Sequence, residues 1–187
     1  MTGDIVRATL EAAIGLLERL NLPYALMGAM SLGFYGRLRA TDDVDLLIAG
    51  DSRTLDLIRA EATLHGFSID EQWSLYNPGL RDTHVRLVRS GVPVDVMLPR
   101  DDQDRSASDR RRPHTIEKGT IWVVAPEDLI LQKLKAGRPR DFDDAIPIFA
   151  RNRDQLDHDY LNQWARRLGV REELDYLWSQ SDRAAAP

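Results

Sequence analysis

The residues best suited to chemistry are two aspartates, Asp43 and Asp45, which open a short apolar segment of the chain. Residues two positions apart in a β-strand project from the same face, so this spacing places the two carboxylates side by side. Neighbouring carboxylates repel each other unless a cation neutralises them, and oxygen ligands select hard ions such as Mg²⁺ or Mn²⁺. The sequence therefore indicates either a metal site or a pair of solvated acids at the end of a strand.

A third aspartate, Asp95, is the only charged residue in the alternating apolar segment 92–98. A charge inside such a strand is costly without a partner. Ser90 and Gly91 predict a two-residue hairpin turn, which places Arg86 opposite Asp95 on the preceding strand. Asp95 is then either the ion-pair partner of Arg86 or a third metal ligand that Arg86 orients. Three acids on two strands have the layout of a two-metal phosphoryl-transfer site.

The elements that must position these acids follow from apolar periodicity and from turn residues. Helices are predicted over residues 4–20, 29–35, 52–65, 126–136 and, after a break at Gly137 and Pro139, from 141 to about 179. Strands are predicted over residues 24–28, 44–49, 67–70, 83–89, 92–98 and 120–124. The remaining predictions are a loop over 73–80, a short helix or loop over 101–112, and a frayed tail over 183–187. This order predicts an α/β (α+β) fold, with a mixed β-sheet flanked by helices and a helical C-terminal third.

The composition excludes several classes of protein. Of the 187 residues, 43% are hydrophobic and 29% are charged, as in globular domains. No apolar run approaches the roughly 18 residues of a membrane span, so we expect no membrane segment. The absence of cysteine excludes disulfides and thiolate metal sites and makes a reducing cytoplasm the expected location. The net charge of -5 argues against a protein that coats nucleic acid through bulk electrostatics.

Residues 28–36, followed by Arg39, Thr41, Asp43 and Asp45, resemble the signature of the nucleotidyltransferase superfamily. Within this superfamily the chain looks like the minimal and AbiEii-type nucleotidyltransferases, some of which are the toxins of toxin–antitoxin pairs. In this family a strand delivers a glycine, a short helix follows, and an Asp-x-Asp pair opens the next strand. The resemblance implies a nucleotidyltransferase-like mixed sheet flanked by helices.

The resemblance also implies roles for individual residues. The catalytic and metal-binding carboxylates would be Asp43, Asp45 and Asp95. The nucleoside triphosphate would be bound by six further residues, namely Gly28, Ala29, Arg39, Thr41, Lys133 and Arg138. Ala29 stands where the family has Gly or Ser, so a serine hydroxyl is missing and backbone N–H groups are left to hold a phosphate.

Residues 125–144 resemble the helix pair that follows the catalytic sheet in AbiEii-type proteins. In this comparison Lys133 and Arg138 match a basic pair that approaches the phosphates, and Asp141 and Asp144 match two acids. We therefore expect the chain to divide into a nucleotidyltransferase core and a helical region packed on it, with the bounds 1–125 and 126–187.

Other charged residues have a plain interpretation as members of solvated faces. Such a face is expected to hold Lys135, Arg140 and Asp143. Arg105 and the arginines of 110–112 form a basic stretch that could contact RNA, with Trp73 or Tyr76 stacking on a base, and a solvated loop is the alternative. The four histidines lack metal-ligand spacing and receive no role.

The function implied is Mg²⁺- or Mn²⁺-dependent transfer of a nucleoside monophosphate from a nucleoside triphosphate, such as ATP, onto a hydroxyl. The acceptor would be tRNA, a protein or a small molecule such as an antibiotic, and a toxin role would add a cognate antitoxin as partner. One alternative is a catalytically inactive member of the fold that acts by binding. Another is a metal-dependent phosphatase or nuclease that uses the same acids.

Overall fold

The computed structural model describes residues 2–117 and 119–185. Its strands are β1 (Tyr24–Met27), β2 (Val44–Ile48), β3 (Ser68–Ile69), β4 (His84–Arg89), β5 (Val92–Met97), β6 (Arg112–Ile116) and β7 (Gly119–Val123). They form one sheet in the order β3-β4-β5-β2-β1-β7-β6. At its centre β2 runs parallel to β5 and antiparallel to β1, and β1 runs parallel to β7. The outer neighbours, β3–β4, β4–β5 and β6–β7, pair antiparallel.

Helices surround this sheet. Those in the described part of the chain are α1 (Thr2–Arg19), α2 (Gly28–Ser31), α3 (Ser52–Ala62), α4 (Glu71–Tyr76), α5 (Asp102–Asp109), α6 (Pro126–Ala136), α7 (Pro139–Asn152), α8 (His158–Leu168) and α9 (Arg171–Ala185). α1 and α3 pack against each other and against the sheet. In the C-terminal part, α7 and α8 pack against α6, and α9 packs against α7 and α8. The predicted mixed α/β fold with a helical C-terminal part is confirmed.

The hydrophobic core is continuous between the sheet and the C-terminal helices. It includes Leu46 of β2, Leu131 of α6 and Phe149 of α7, all of which are fully buried. The division of the chain at residue 125 stays a prediction. Within the described ranges, no helix has both the length and the apolar character needed to cross a bilayer.

The hairpin that carries Asp95 has the predicted register. Ser90 and Gly91 form its turn with φ values of 51° and 77°, and a two-residue turn of this kind requires positive φ at both positions. Arg86 of β4 lies opposite Asp95 of β5, as the turn length predicts. Local turn chemistry therefore sets the pairing of these two charged residues.

Three segments differ from the predictions. Residues 73–80, predicted as a loop, contain α4 and a 3₁₀ turn over Pro78–Leu80. α4 begins there because the Asp70 carboxylate accepts a hydrogen bond from the backbone N–H of Trp73 at 2.8 Å and so caps the helix. β6 was missed because it is an exposed strand without apolar alternation. Residues 183–185 continue α9 instead of fraying, and residues 186 and 187 lie outside the described part.

Candidate functional site

The two aspartates of the predicted pair lie at the start of the central strand β2. Val44 between them is fully buried, and Asp45 is the only residue of β2 that is not buried. Asp43 accepts a hydrogen bond from the hydroxyl of Thr41. This local bond fixes one carboxylate at the end of the strand and also occupies the Thr41 hydroxyl, which the resemblance assigns to the nucleotide.

Gly28 lies directly against Asp45. It begins α2 with a φ of 66°, a conformation that favours glycine. A Cβ at this position would overlap the Asp45 carboxylate. The next residue, Ala29, is buried, and the hydroxyl of Ser31 donates to the carbonyl oxygen of Gly28 at 2.8 Å. Ser31 therefore does not replace the serine hydroxyl that Ala29 lacks.

The charge of Asp45 has no direct compensation. Among the residues described, no hydrogen bond or ion pair reaches its carboxylate. Burial, and then the charges of Asp43 and Asp95, raise the pKa of Asp45 to about 7. Such a carboxylate is stabilised by any cation that approaches it.

Asp95 lies beside Asp45 on the parallel neighbour strand, but its oxygens are occupied. Arg86 donates Nε to Oδ1 and Nη2 to Oδ2, both at 2.7 Å, and Nε2 of His84 lies 3.0 Å from Oδ1. Burial raises the pKa of Asp95, but the hydrogen bonds from His84 and Arg86 outweigh it and hold the pKa below its usual value. Of the two alternatives for Asp95, the structure therefore shows the ion pair with Arg86 and not a free third metal ligand.

Trp73 of α4 covers this ion pair. Its ring centroid lies 4.4 Å from that of His84, and the Arg86 guanidinium lies 4.8 Å from the Trp73 centroid. The expectation that Trp73 could stack on an RNA base does not fit this arrangement, because two side chains of its own chain already contact its ring. His84 received no role from the sequence, although its position two residues before Arg86 on the same strand places it on the same face.

The predicted basic pair belongs to a second charged network. The buried Nζ of Lys133 lies 3.2 Å from Asp141 and 2.9 Å from Asp144, and Nε of Arg138 donates to Asp141 at 2.6 Å. Arg39 reaches the same network through Asp144, with its Nε 3.5 Å from Oδ1. The lysine and the arginine are thus close together, as the resemblance implies, but both are paired with carboxylates.

A cleft of about 500 Å³ lies between Asp45 and this network. Of the residues that the sequence singled out, those that line it are Gly28, Asp45, Lys133, Arg138 and Asp141, whereas Asp43 and Asp95 do not. Lys135 also lines it and pairs with Asp101 at 2.7 Å and with Asp104 at 3.0 Å, so its expected place on a solvated face is wrong. Gln132 lies on the same wall and was missed, because nothing in its sequence context marks it.

The basic stretch that follows α5 is largely neutralised. Arg110 pairs with Asp128 at 3.1 Å and with Glu127 at 3.2 Å, and Arg112 pairs with Glu127 at 3.2 Å. Arg111 lies over the ring of Trp122 at 4.9 Å. Since Glu127 and Asp128 are fully buried, these arginines connect β6 to α6 and offer little free charge for a nucleic-acid backbone.

The residues present fit a hard divalent cation only in part. Asp43 and Asp45 supply carboxylate oxygens, which are the ligands that Mg²⁺ and Mn²⁺ prefer, and neither carboxylate is paired with a cationic side chain of the described residues. Asp95 does not supply a free third carboxylate, because Arg86 and His84 hold it. Accordingly, the described ranges contain no group of three or more His, Cys, Asp or Glu side chains placed to hold a metal ion.

Comparison of the sequence with family models and with curated proteins finds no match. Solved structures do match. An antigenic nucleotidyltransferase-like protein from Paracoccidioides brasiliensis has a TM-score of 0.57 at 19% identity, over 95% of this chain and 93% of that chain. The antibiotic-resistance factor ANT(2'')-Ia has a TM-score of 0.61 at 12% identity, over 98% of each chain. The lincosamide adenylyltransferase LnuA has a TM-score of 0.52 at 14% identity, over 74% of this chain and 93% of that chain. The chain therefore has a nucleotidyltransferase-like fold.

Proposed function

We propose that this chain is a divalent-metal-dependent nucleotidyltransferase that transfers a nucleoside monophosphate from a nucleoside triphosphate to a hydroxyl. The observation that carries the proposal is Asp45, a half-buried carboxylate that faces a cleft, lies next to Asp43 and has no partner among the described residues. A protein gains no stability from such a group, so a role in binding a cation is the better explanation. The shared fold supports the same conclusion.

The proposed roles follow from the position of each residue. Asp43 and Asp45 would hold Mg²⁺ or Mn²⁺, which when bound neutralises phosphate charge and activates the reacting oxygens. Gly28 leaves the space beside Asp45 free of a side chain. Lys133 and Arg138 would neutralise the departing pyrophosphate, and each would exchange a carboxylate of the chain for a phosphate oxygen. The acceptor oxygen would attack the α-phosphorus and lose its proton to solvent, while the bond from the α-phosphorus to the bridging oxygen breaks and pyrophosphate leaves.

Asp95 has a different proposed role from that of Asp43 and Asp45. Because Arg86 and His84 bind its oxygens, Asp95 would hold β5 to β4 and keep a negative charge near Asp45. A role as third ligand or as proton acceptor requires that Arg86 first withdraws. Catalysis by Asp95 therefore stays a prediction of the resemblance.

We further propose that the acceptor is a small hydroxylated molecule. ANT(2'')-Ia has been solved with adenylyl-2''-tobramycin, and LnuA with lincomycin. The neutralised arginines and the covered Trp73 argue against an RNA acceptor. The AbiEii subgroup, a toxin role, tRNA and a cognate antitoxin rest on the sequence resemblance alone.

A second candidate is a catalytically inactive binding protein with this fold. It is favoured by one specific observation, namely that Lys133, Arg138 and Asp95 already have partners of opposite charge. An inactive scaffold would keep these pairs when nucleotide is added. An enzyme would exchange at least those of Lys133 and Arg138.

The test combines the protein with Mg²⁺, each α-labelled nucleoside triphosphate and a panel of acceptors that includes aminoglycosides, lincosamides and total tRNA. Label on an acceptor, released pyrophosphate, and loss of both in the Asp45→Asn variant would support the enzyme. Asp42→Asn is the matched control, because Asp42 is an exposed aspartate three residues before Asp45 and lies outside β2. Release of inorganic phosphate or cut RNA would instead indicate a phosphatase or nuclease. Transfer that survives in Asp45→Asn would show that the site is wrongly assigned.

A further inference from the structure

Gln132 of α6 has a buried carboxamide without a partner. Both amide atoms, Nε2 and Oε1, are sealed from solvent and make no hydrogen bond with the described residues, while the side chain lines the cleft. A buried amide that makes no hydrogen bond carries an uncompensated desolvation cost. Such groups are rare in proteins and call for an explanation.

The other polar side chains on this wall of the cleft are engaged. Lys133 pairs with Asp144 at 2.9 Å, and Lys135 pairs with Asp101 at 2.7 Å. Arg138 pairs with Asp141 at 2.6 Å. Apart from Asp45, whose charge suits a cation, the amide of Gln132 is therefore the group along the described cleft wall that is most in need of hydrogen-bond partners. It is neutral, and it offers a donor and an acceptor side by side.

The cleft around Gln132 suits a flat aromatic group. The sheet presents Leu47 and Met97 as register neighbours on β2 and β5, and Met27 and Leu129 also line the space. Apolar walls with methionine thioethers make favourable contacts with aromatic rings. At about 500 Å³, the cleft has the size of a site for a nucleotide-sized ligand.

We propose that Gln132 reads the nucleobase of the bound nucleoside triphosphate and selects adenine through its 6-amino group. This inference rests on the proposed nucleotidyltransferase function and specifies its donor. A glutamine amide can pair with adenine through two hydrogen bonds, to the 6-amino group and N7, whereas lysine and arginine favour guanine. Lys135 is held by Asp101, and Lys133 and Arg138 are assigned to the phosphates, so the neutral amide of Gln132 is the group left to set the preference between bases. Because both amide atoms are sealed from solvent, this pairing requires rotation about the terminal bonds of the side chain to turn the amide into the cleft.

The experiment compares ATP with purine riboside triphosphate, which is the same molecule without the 6-amino group. Dissociation constants are measured calorimetrically in Mg²⁺ for the wild type, for Gln132→Met and for the control Gln163→Met, in which an exposed glutamine of α8 is replaced. We expect the wild type and the control to bind ATP roughly tenfold more tightly than the analogue, the effect of about one hydrogen bond. We expect Gln132→Met to bind the two nucleotides equally.

The outcomes separate the two proposals. If the wild type binds both nucleotides equally, the inference about Gln132 is wrong while nucleotide binding stands. If Gln132→Met discriminates as strongly as the wild type, another residue reads the base and the inference is again wrong. If no nucleoside triphosphate binds in Mg²⁺, the proposed function fails and this inference fails with it. The comparison of ligands on the wild type does not depend on the folding of any variant.

Discussion

Replacing Asp45 by asparagine should stabilise the metal-free protein at alkaline pH, although it removes the residue that we place at the centre of the site. Burial and the charges of Asp43 and Asp95 raise the pKa of Asp45 from 3.8 to about 7. The unfolded chain releases this proton at about pH 4, whereas the folded chain holds it until about pH 7. The contribution of Asp45 to the free energy of unfolding therefore falls as the pH rises through this window. Above the window it stays low.

The size of the effect follows from the same values. One pKa unit corresponds to about 1.4 kcal/mol, so ionised Asp45 could cost up to about 4 kcal/mol. Asp45 is partly exposed to the cleft, and solvent screening there reduces the expected gain for Asp45→Asn to about 2 kcal/mol. In a chain of this length, that gain corresponds to a rise in Tm of roughly 4–8 °C.

The assay is thermal denaturation in EDTA at pH 5 and pH 8. The gain in Tm of Asp45→Asn over the wild type should be larger at pH 8, because the wild-type carboxylate is ionised there and mostly protonated at pH 5. Asp42→Asn should show no gain at either pH, since Asp42 is exposed. A Tm of Asp45→Asn below that of the wild type at pH 8 would refute the reasoning, because it would mean that a stabilising partner holds the ionised carboxylate.

Three further predictions concern Asp45 and the residues around it. Because a proton and Mg²⁺ compete for Asp45, Mg²⁺ should bind more tightly at pH 8 than at pH 5.5, and calorimetric titrations that give equal affinities would contradict this. Arg86→Ala should lower the free energy of unfolding by about 2–3 kcal/mol, because it leaves Asp95 with His84 alone. Arg86→Lys should recover only part of that loss in urea denaturation, since an ammonium cannot form the bidentate pair, and full recovery would show that the fork geometry is unimportant. Gly28→Ala should cost about 2 kcal/mol or more, because a methyl group would overlap Asp45 at a positive φ. Gly15→Ala in α1 meets open space and should instead raise stability by about 0.5–1 kcal/mol, so similar effects of the two changes would argue against strain at Gly28.

Local rules account for the parts of the molecule that the sequence predicted well. α6 begins at Pro126 and ends at Ala136, because proline suits the first turn of a helix and glycine suits the φ of 64° at the capping position, Gly137. Ser90 and Gly91 form a two-residue turn, and the length of this turn fixes Arg86 opposite Asp95. Each of these predictions depends on residues close together in the chain, where stereochemistry restricts the choices.

The pairing of charges between distant elements was not predictable in this way. Nothing local indicates that Lys135 meets Asp101, because the helix and the loop that carry them come together only in the folded chain. The same holds for Trp73 on His84, which depends on a helix that the sequence did not predict. The sequence therefore identified which residues could do chemistry better than it identified which of them are already engaged. Their catalytic and binding roles stay predictions.

The parallel pairing of β1 with β7 has a consequence for how the chain folds. β1 can form its hairpin with β2 as soon as both have been synthesised, but its other edge stays open until β7 emerges much later. Because β1 is fully apolar, an open edge there invites pairing with other chains. Contacts between segments so far apart in sequence also slow folding. We therefore expect early-terminated chains that lack β7 to aggregate, and the β1–β7 ladder to be among the last parts of the sheet to gain protection from hydrogen exchange.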